Sequence, residues 1–223
     1  MKAAVIVFPG TNCELDTKYA LEKLSFKVEL LWHKEKNLPK DVDLVVLPGG
    51  FSYGDYLRSG AISKFAPVME AVISFSKKGG NVLGICNGFQ ILLESHLLPG
   101  AMVKNQNVHF ISKYHRLKVI SNNNRFLSKT EKDEILNIPV AHGEGNYYID
   151  EKGLKELYEN DQVLLRYCDE NGEESNPNGS VDAIAGICNK EKNIFALMPH
   201  PERAVEGILG SEDGIKMLQG FLN

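Results

Sequence analysis

Gly84-Ile85-Cys86-Asn87-Gly88 is the segment of this chain best suited to chemistry, because glycines flank a cysteine at −2 and +2. The apolar run 81–85 before it reads as a buried strand and 89–93 after it as an apolar helix. Cys86 therefore falls on a strand-to-helix turn, the pattern of a nucleophile elbow with Cys in place of Ser. Such a turn holds its central residue in a strained backbone conformation, and side chains at ±2 would collide with the neighbouring strand and helix. Free N–H groups and partial positive charge at a helix N-terminus favour thiolate over thiol. The Asn87 N–H is placed to meet an oxyanion formed on an attacked carbonyl. Cys13, Cys168 and Cys188 lack the glycine frame and read as space-filling side chains. No two of the four cysteines have metal-ligand or redox spacing, so no metal is expected.

A thiol that attacks an amide needs a base and a later proton donor. Among the histidines, His200 stands out, in Pro199-His200-Pro201-Glu202 directly after the apolar run 194–198. It emerges at a strand end, where α/β folds place ligands, and the two prolines stiffen the segment. Glu202 can accept the other ring N–H and hold the tautomer that lets the remaining nitrogen take the thiol proton. His142 is the main rival, in Ala141-His142-Gly143-Glu144-Gly145, and reads as a substrate or partner contact. Pro48-Gly49-Gly50-Phe51 follows the strand 44–47, and its glycines can offer backbone N–H groups as the second half of an oxyanion hole.

The elements that must position these groups alternate. Strand 3–8 is followed by helix 15–24, strands 28–32 and 44–47, and a helix over 62–75 with Phe65, Val68, Met69, Val72 and Phe75 on one face. With strand 81–85 and helix 89–93 this gives an α/β fold, an open mostly parallel sheet flanked by helices. From 102 to 120 the sequence alternates apolar and polar residues, predicting an antiparallel extension. A short helix at 154–158, a strand at 163–167, a surface loop at 169–180, a hairpin of 183–188 with 194–198, and a closing helix at 212–222 complete the reading.

At 223 residues and 43% hydrophobic content, with no repeat or long linker, residues 1–223 read as one domain. A net charge of −4 with both signs scattered excludes a nucleic-acid groove. The N-terminal apolar run ends at Pro9-Gly10, too short for a secretory segment or membrane span, so a cytoplasmic protein is expected.

Together, Pro48-Gly49-Gly50, Gly84 to Gln90 and Pro199-His200-Pro201-Glu202 resemble the three signature segments of class I (triad) glutamine amidotransferases, whose fold is flavodoxin-like. More narrowly, 8–14, 49–58 and 141–145 resemble the glutaminase subunits of phosphoribosylformylglycinamidine synthase, along essentially the whole chain. The resemblance implies hydrolysis of L-glutamine to glutamate and ammonia through a thioester on Cys86. It implies the triad Cys86, His200 and Glu202, oxyanion donors near Gly50 and Asn87, and a glutamine pocket lined by Gln90, with Gly49, Phe51 and His142 beside it. It further implies a synthetase partner, with a small accessory subunit, that consumes the ammonia in de novo purine biosynthesis. No phosphate-cradling loop of Walker or Rossmann type occurs here, so ATP and Mg²⁺ are expected on the synthetase and no cofactor on this chain.

Overall fold

The computed structural model describes residues 1–222. Its frame is a nine-stranded sheet whose left half is parallel. β1 (Lys2–Val7), buried on both faces, lies between β2 (Lys27–Trp32) and β3 (Leu44–Leu47). β3 pairs with β4 (Asn81–Ile85). The β-branched and leucine-rich composition of β1, β3 and β4 is that of strands covered on both sides, whereas β2, at the sheet edge, is largely exposed. α1 (Glu14–Lys23), α2 (Pro67–Lys77) and α3 (Asn87–Glu94) supply the crossovers.

Past α3 the pattern becomes antiparallel. A small separate sheet is formed by β5 (Ala101–Val103) and β8 (Asn146–Tyr148). In the main sheet, β6 (Ile111–Val119) lies between β7 (Ile135–His142) and β9 (Val163–Cys168). α4 (Glu151–Glu159) precedes β9, with the Asp150 side chain accepting from the Gly153 N–H at its start. β10 (Ile184–Cys188) and β11 (Ile194–Leu197) form the expected hairpin. β11 then closes parallel against β4. The order β2-β1-β3-β4-β11 is flavodoxin-like, and β10-β9-β6-β7 is the extension. α5 (Asp213–Gln219) ends the chain's regular helices, with a 3₁₀ turn at Gly220–Leu222.

Three expectations change. The helix over 62–75 begins only at Pro67, because Ala66, ahead of a proline, takes extended backbone (ψ 138°). Phe65, read on one helical face with Val68, Met69, Val72 and Phe75, lies ahead of the helix and is 77% exposed. The extension over 102–120 is broken between β5 and β6, which lie in different sheets. β7, not expected as a strand, carries Pro139 at its middle, and this is tolerated because β7 is the sheet edge. The surface loop expected over 169–180 is present, and it is anchored where Asn178, 1% exposed, donates to the Gly145 carbonyl at 2.7 Å.

Candidate active site

The carboxyl ends of β1, β3, β4 and β11 and the end of β7 surround one cavity of about 310 Å³. β4 delivers Cys86, which caps the N-terminus of α3 with φ +49° and ψ −103°. A non-glycine residue in this region is strained and is held there by its surroundings. The glycines act as their spacing predicts. A Cβ on Gly88 would lie 1.9 Å from the Leu47 carbonyl oxygen on β3, and one on Gly84 would lie 2.5 Å from Leu92 of α3. The elbow therefore packs against the next strand as closely as backbone allows. Its thiol donates to the Ala141 carbonyl at 3.7 Å, across to the end of β7.

β11, the neighbour of β4, delivers His200. The His200 N–H donates to the Pro139 carbonyl at 2.8 Å, fixing the backbone against β7. Nδ1 lies 2.7 Å from Glu202 Oε1, and the two residues are 1% and 2% exposed. Burial works against charge on this imidazole, but the Glu202 carboxylate and Cys86 outweigh it, so the ring is held well above its ordinary value. Nε2 is buried with no hydrogen-bond partner among the described residues. This ring stands beside Cys86, where a base and proton donor for acyl transfer must lie.

Gly50, with φ +129°, bridges to Thr11, and a Cβ there would lie 2.6 Å from the Asn12 nitrogen. A Cβ on Gly49 would lie 2.7 Å from Cε1 of His200. The chain after β3 can thus run beside the histidine only as glycine. Asn87 Nδ2 donates to Gln90 Oε1 at 2.8 Å, and its Oδ1 accepts from the Ser52 N–H at 3.2 Å, so α3 and the 50s loop are tied together. The Asn87 N–H, in the first turn of α3, has no intrahelical acceptor and is available to an oxyanion.

A buried thiol at a strained elbow, with a buried His–Glu pair on the adjacent strand, is equipment for acyl transfer through a thioester. A family model described as the CobB/CobQ-like glutamine amidotransferase domain matches residues 1–214. This chain belongs to the glutamine amidotransferases. A protein of Sulfurimonas denitrificans named phosphoribosylformylglycinamidine synthase subunit PurQ is 66% identical over 100% of this chain and 99% of its own length. One of Wolinella succinogenes with the same name is 61% identical over 99% of each. A structure described as PurLQS from Thermotoga maritima contains a chain 42% identical, with a TM-score of 0.89, covering 100% of this chain and 97% of that one.

In this amidotransferase the cavity brings together Cys86, Gly50, Phe51, Gln90, His142 and His200. Gly49, Asn87 and Glu202 stand behind that wall and support it. Burial and the charge of His200 push His142 down to about 4, so its ring is neutral and Nδ1 can donate to Asn105 Oδ1 at 3.1 Å. Gln90 Nε2 donates to the Glu144 carbonyl at 2.6 Å. Phe51 stacks on Phe110 at the rim, their centroids 6.4 Å apart.

Sequence reasoning missed several residues that line this cavity. Cys13, read as space-filling, lines the cavity and accepts from Arg203 Nη2 at 3.0 Å. The other two thiols fit their structural reading: both are buried, and burial pushes Cys188 up to about 12 and also raises Cys168. Asp55, Ser59 and Glu144 also line the cavity. Two of these were within reach: Glu144 stands in the same glycine-flanked segment as His142, and Asp55 lies in the loop after Gly50. Cys13, His200 and Glu202 hold ligand-type atoms within 4.8 Å of one another. The Arg203 guanidinium against that sulfur sets a positive charge where a metal cation would have to sit. Among the described residues, no helix is long and apolar enough to cross a membrane.

Proposed function

We propose that this chain is the glutaminase subunit of phosphoribosylformylglycinamidine synthase and that Cys86, His200 and Glu202 are its triad. The Cys86 thiolate attacks the side-chain carboxamide carbon of L-glutamine. The N–H groups of Gly50 and Asn87 stabilise the resulting oxyanion. His200 gives its proton to the departing nitrogen, ammonia leaves, and a γ-glutamyl thioester remains on Cys86. A water molecule then attacks the thioester while His200 takes its proton. Glutamate departs and the thiolate–imidazolium pair is restored. Glu202 holds Nδ1–H throughout, so the unpaired Nε2 is the working nitrogen.

The observation that carries this reading is the adjacency of β4 and β11, which sets Cys86 and the buried His200–Glu202 pair side by side at one cavity. The name shared by relatives 61% and 66% identical supports the acceptor, formylglycinamide ribonucleotide on a synthetase subunit that uses ATP and Mg²⁺. The test is glutamate release by the purified chain, with and without that synthetase and its substrates. Release that rises with the synthetase and disappears in Cys86→Ala, while the complex still uses free ammonia, is the expected result. Release that survives Cys86→Ala would overturn the triad.

A further inference from the structure

The cavity has a second end that the triad does not use. Asp55 and Glu144, both half-buried, face it together with Ser59 and Gln90. Ser59 Oγ donates to Glu144 Oε2 at 2.8 Å, and Asn87 Nδ2 donates to Asp55 Oδ1 at 3.3 Å. Among the described residues, neither Asp55 nor Glu144 is in an ion pair with a lysine or arginine; their side-chain partners are Asn87 and Ser59. Arg203 is the sole lysine or arginine among the described residues that line the cavity, and it is engaged by Asp16 at 3.1 Å and by Cys13. Outside the triad, the cavity wall holds one buried ring nitrogen, Nε2 of His142, with no partner among the described residues. Two carboxylates with neutral partners only, beside an unpartnered buried ring nitrogen, suit a ligand that carries a cation.

We propose that Asp55 and Glu144 bind the α-ammonium group of glutamine and so select an α-amino acid amide over other primary amides. This rests on the glutaminase reading, which sets the carboxamide at Cys86 and leaves the α-carbon to reach the other end. Asn87 joins the two ends, since it supplies an oxyanion N–H from its backbone and holds Asp55 and Gln90 with its side chain. The charge pair has a second role. Burial, reinforced by Glu144, pushes the Asp55 carboxyl up to about 6, and a bound ammonium relieves that repulsion.

The test compares L-glutamine with glutaramate, the same carbon chain and amide without the α-amino group, in the complex with the synthetase. Release of glutamate or glutarate is followed for wild type, Asp55→Asn, Glu144→Gln and the double variant. Wild type should prefer glutamine by about 100-fold or more in kcat/KM. Each single variant should raise KM for glutamine by about tenfold, the scale of one hydrogen bond to a charged group, and leave glutaramate within a few-fold. An unchanged preference, or an equal loss for both substrates, would overturn the proposal. Calorimetry of L-glutamine binding to Cys86→Ala, with and without Asp55→Asn, separates the two readings. Binding weakened by Asp55→Asn supports ammonium recognition even where no glutamate is released, a result that would sink the glutaminase reading alone. Binding indifferent to Asp55 sinks ammonium recognition alone.

Discussion

The two ends of the cavity are built differently. At the sulfur end, Cys86 and His200 stand just past the ends of adjacent parallel strands, and a Cβ on Gly88 would meet backbone at 1.9 Å. At the carboxylate end, Asp55 sits in a loop where Tyr53, Asp55 and Leu57 all have positive φ, and Glu144 follows the last residue of an edge strand. Reacting atoms need placement to fractions of an ångström, and packed strands supply it. A recognition group tolerates a looser frame and can be re-tuned without disturbing the chemistry.

The contrast predicts where damage should appear. Glu202→Gln should have the largest effect, lowering kcat by about 100-fold or more while leaving KM for glutamine nearly unchanged, since it strips the charge that holds up His200. A pH profile of kcat whose acidic limb is unaffected would break that expectation. Gly88→Ala should follow, destabilising the fold by about 3 kcal/mol or more through the clash with Leu47. Denaturant melts would detect this, and wild-type stability would show that the elbow can relax.

At the other end the effects should be smaller and seen in binding. Asp55 titrates near 6, so KM for glutamine should rise as pH falls through that value, and Asp55→Asn should remove the dependence. The smallest effect is on stability. The folded Asp55 holds its proton more tightly than the unfolded chain, so its contribution is fully present below the ordinary carboxylate range and is lost as pH rises through about 6. Ligand-free Asp55→Asn should therefore melt about 1–3 °C above wild type at pH 8, with the gap closing at pH 4. A gap that widens in acid would reverse the assignment.

The sulfur end was readable from the sequence because its constraints are local. Gly84, Gly88 and Pro199 to Glu202 are short segments whose spacing states a backbone geometry. The carboxylate end was only half readable, since Asp55 and Glu144 meet across 89 positions and nothing local pairs them. Cys13 escaped for the same reason, its partner Arg203 lying 190 residues away. β7 has the alternation of a strand, with Leu136, Ile138, Val140 and His142 turned inward, but Pro139 reads as a breaker unless the strand is known to be the edge.

That edge bears on how the protein keeps to itself in a crowded solution. An open edge strand is a template for a strand from a second copy, and it is blunted when its outward donors and acceptors are missing or occupied. At the midpoint of β7 the outward nitrogen belongs to Pro139 and carries no hydrogen, and the outward carbonyl is taken by the His200 N–H at 2.8 Å. The bond that seats the histidine thus also blunts this edge of the sheet against strand addition.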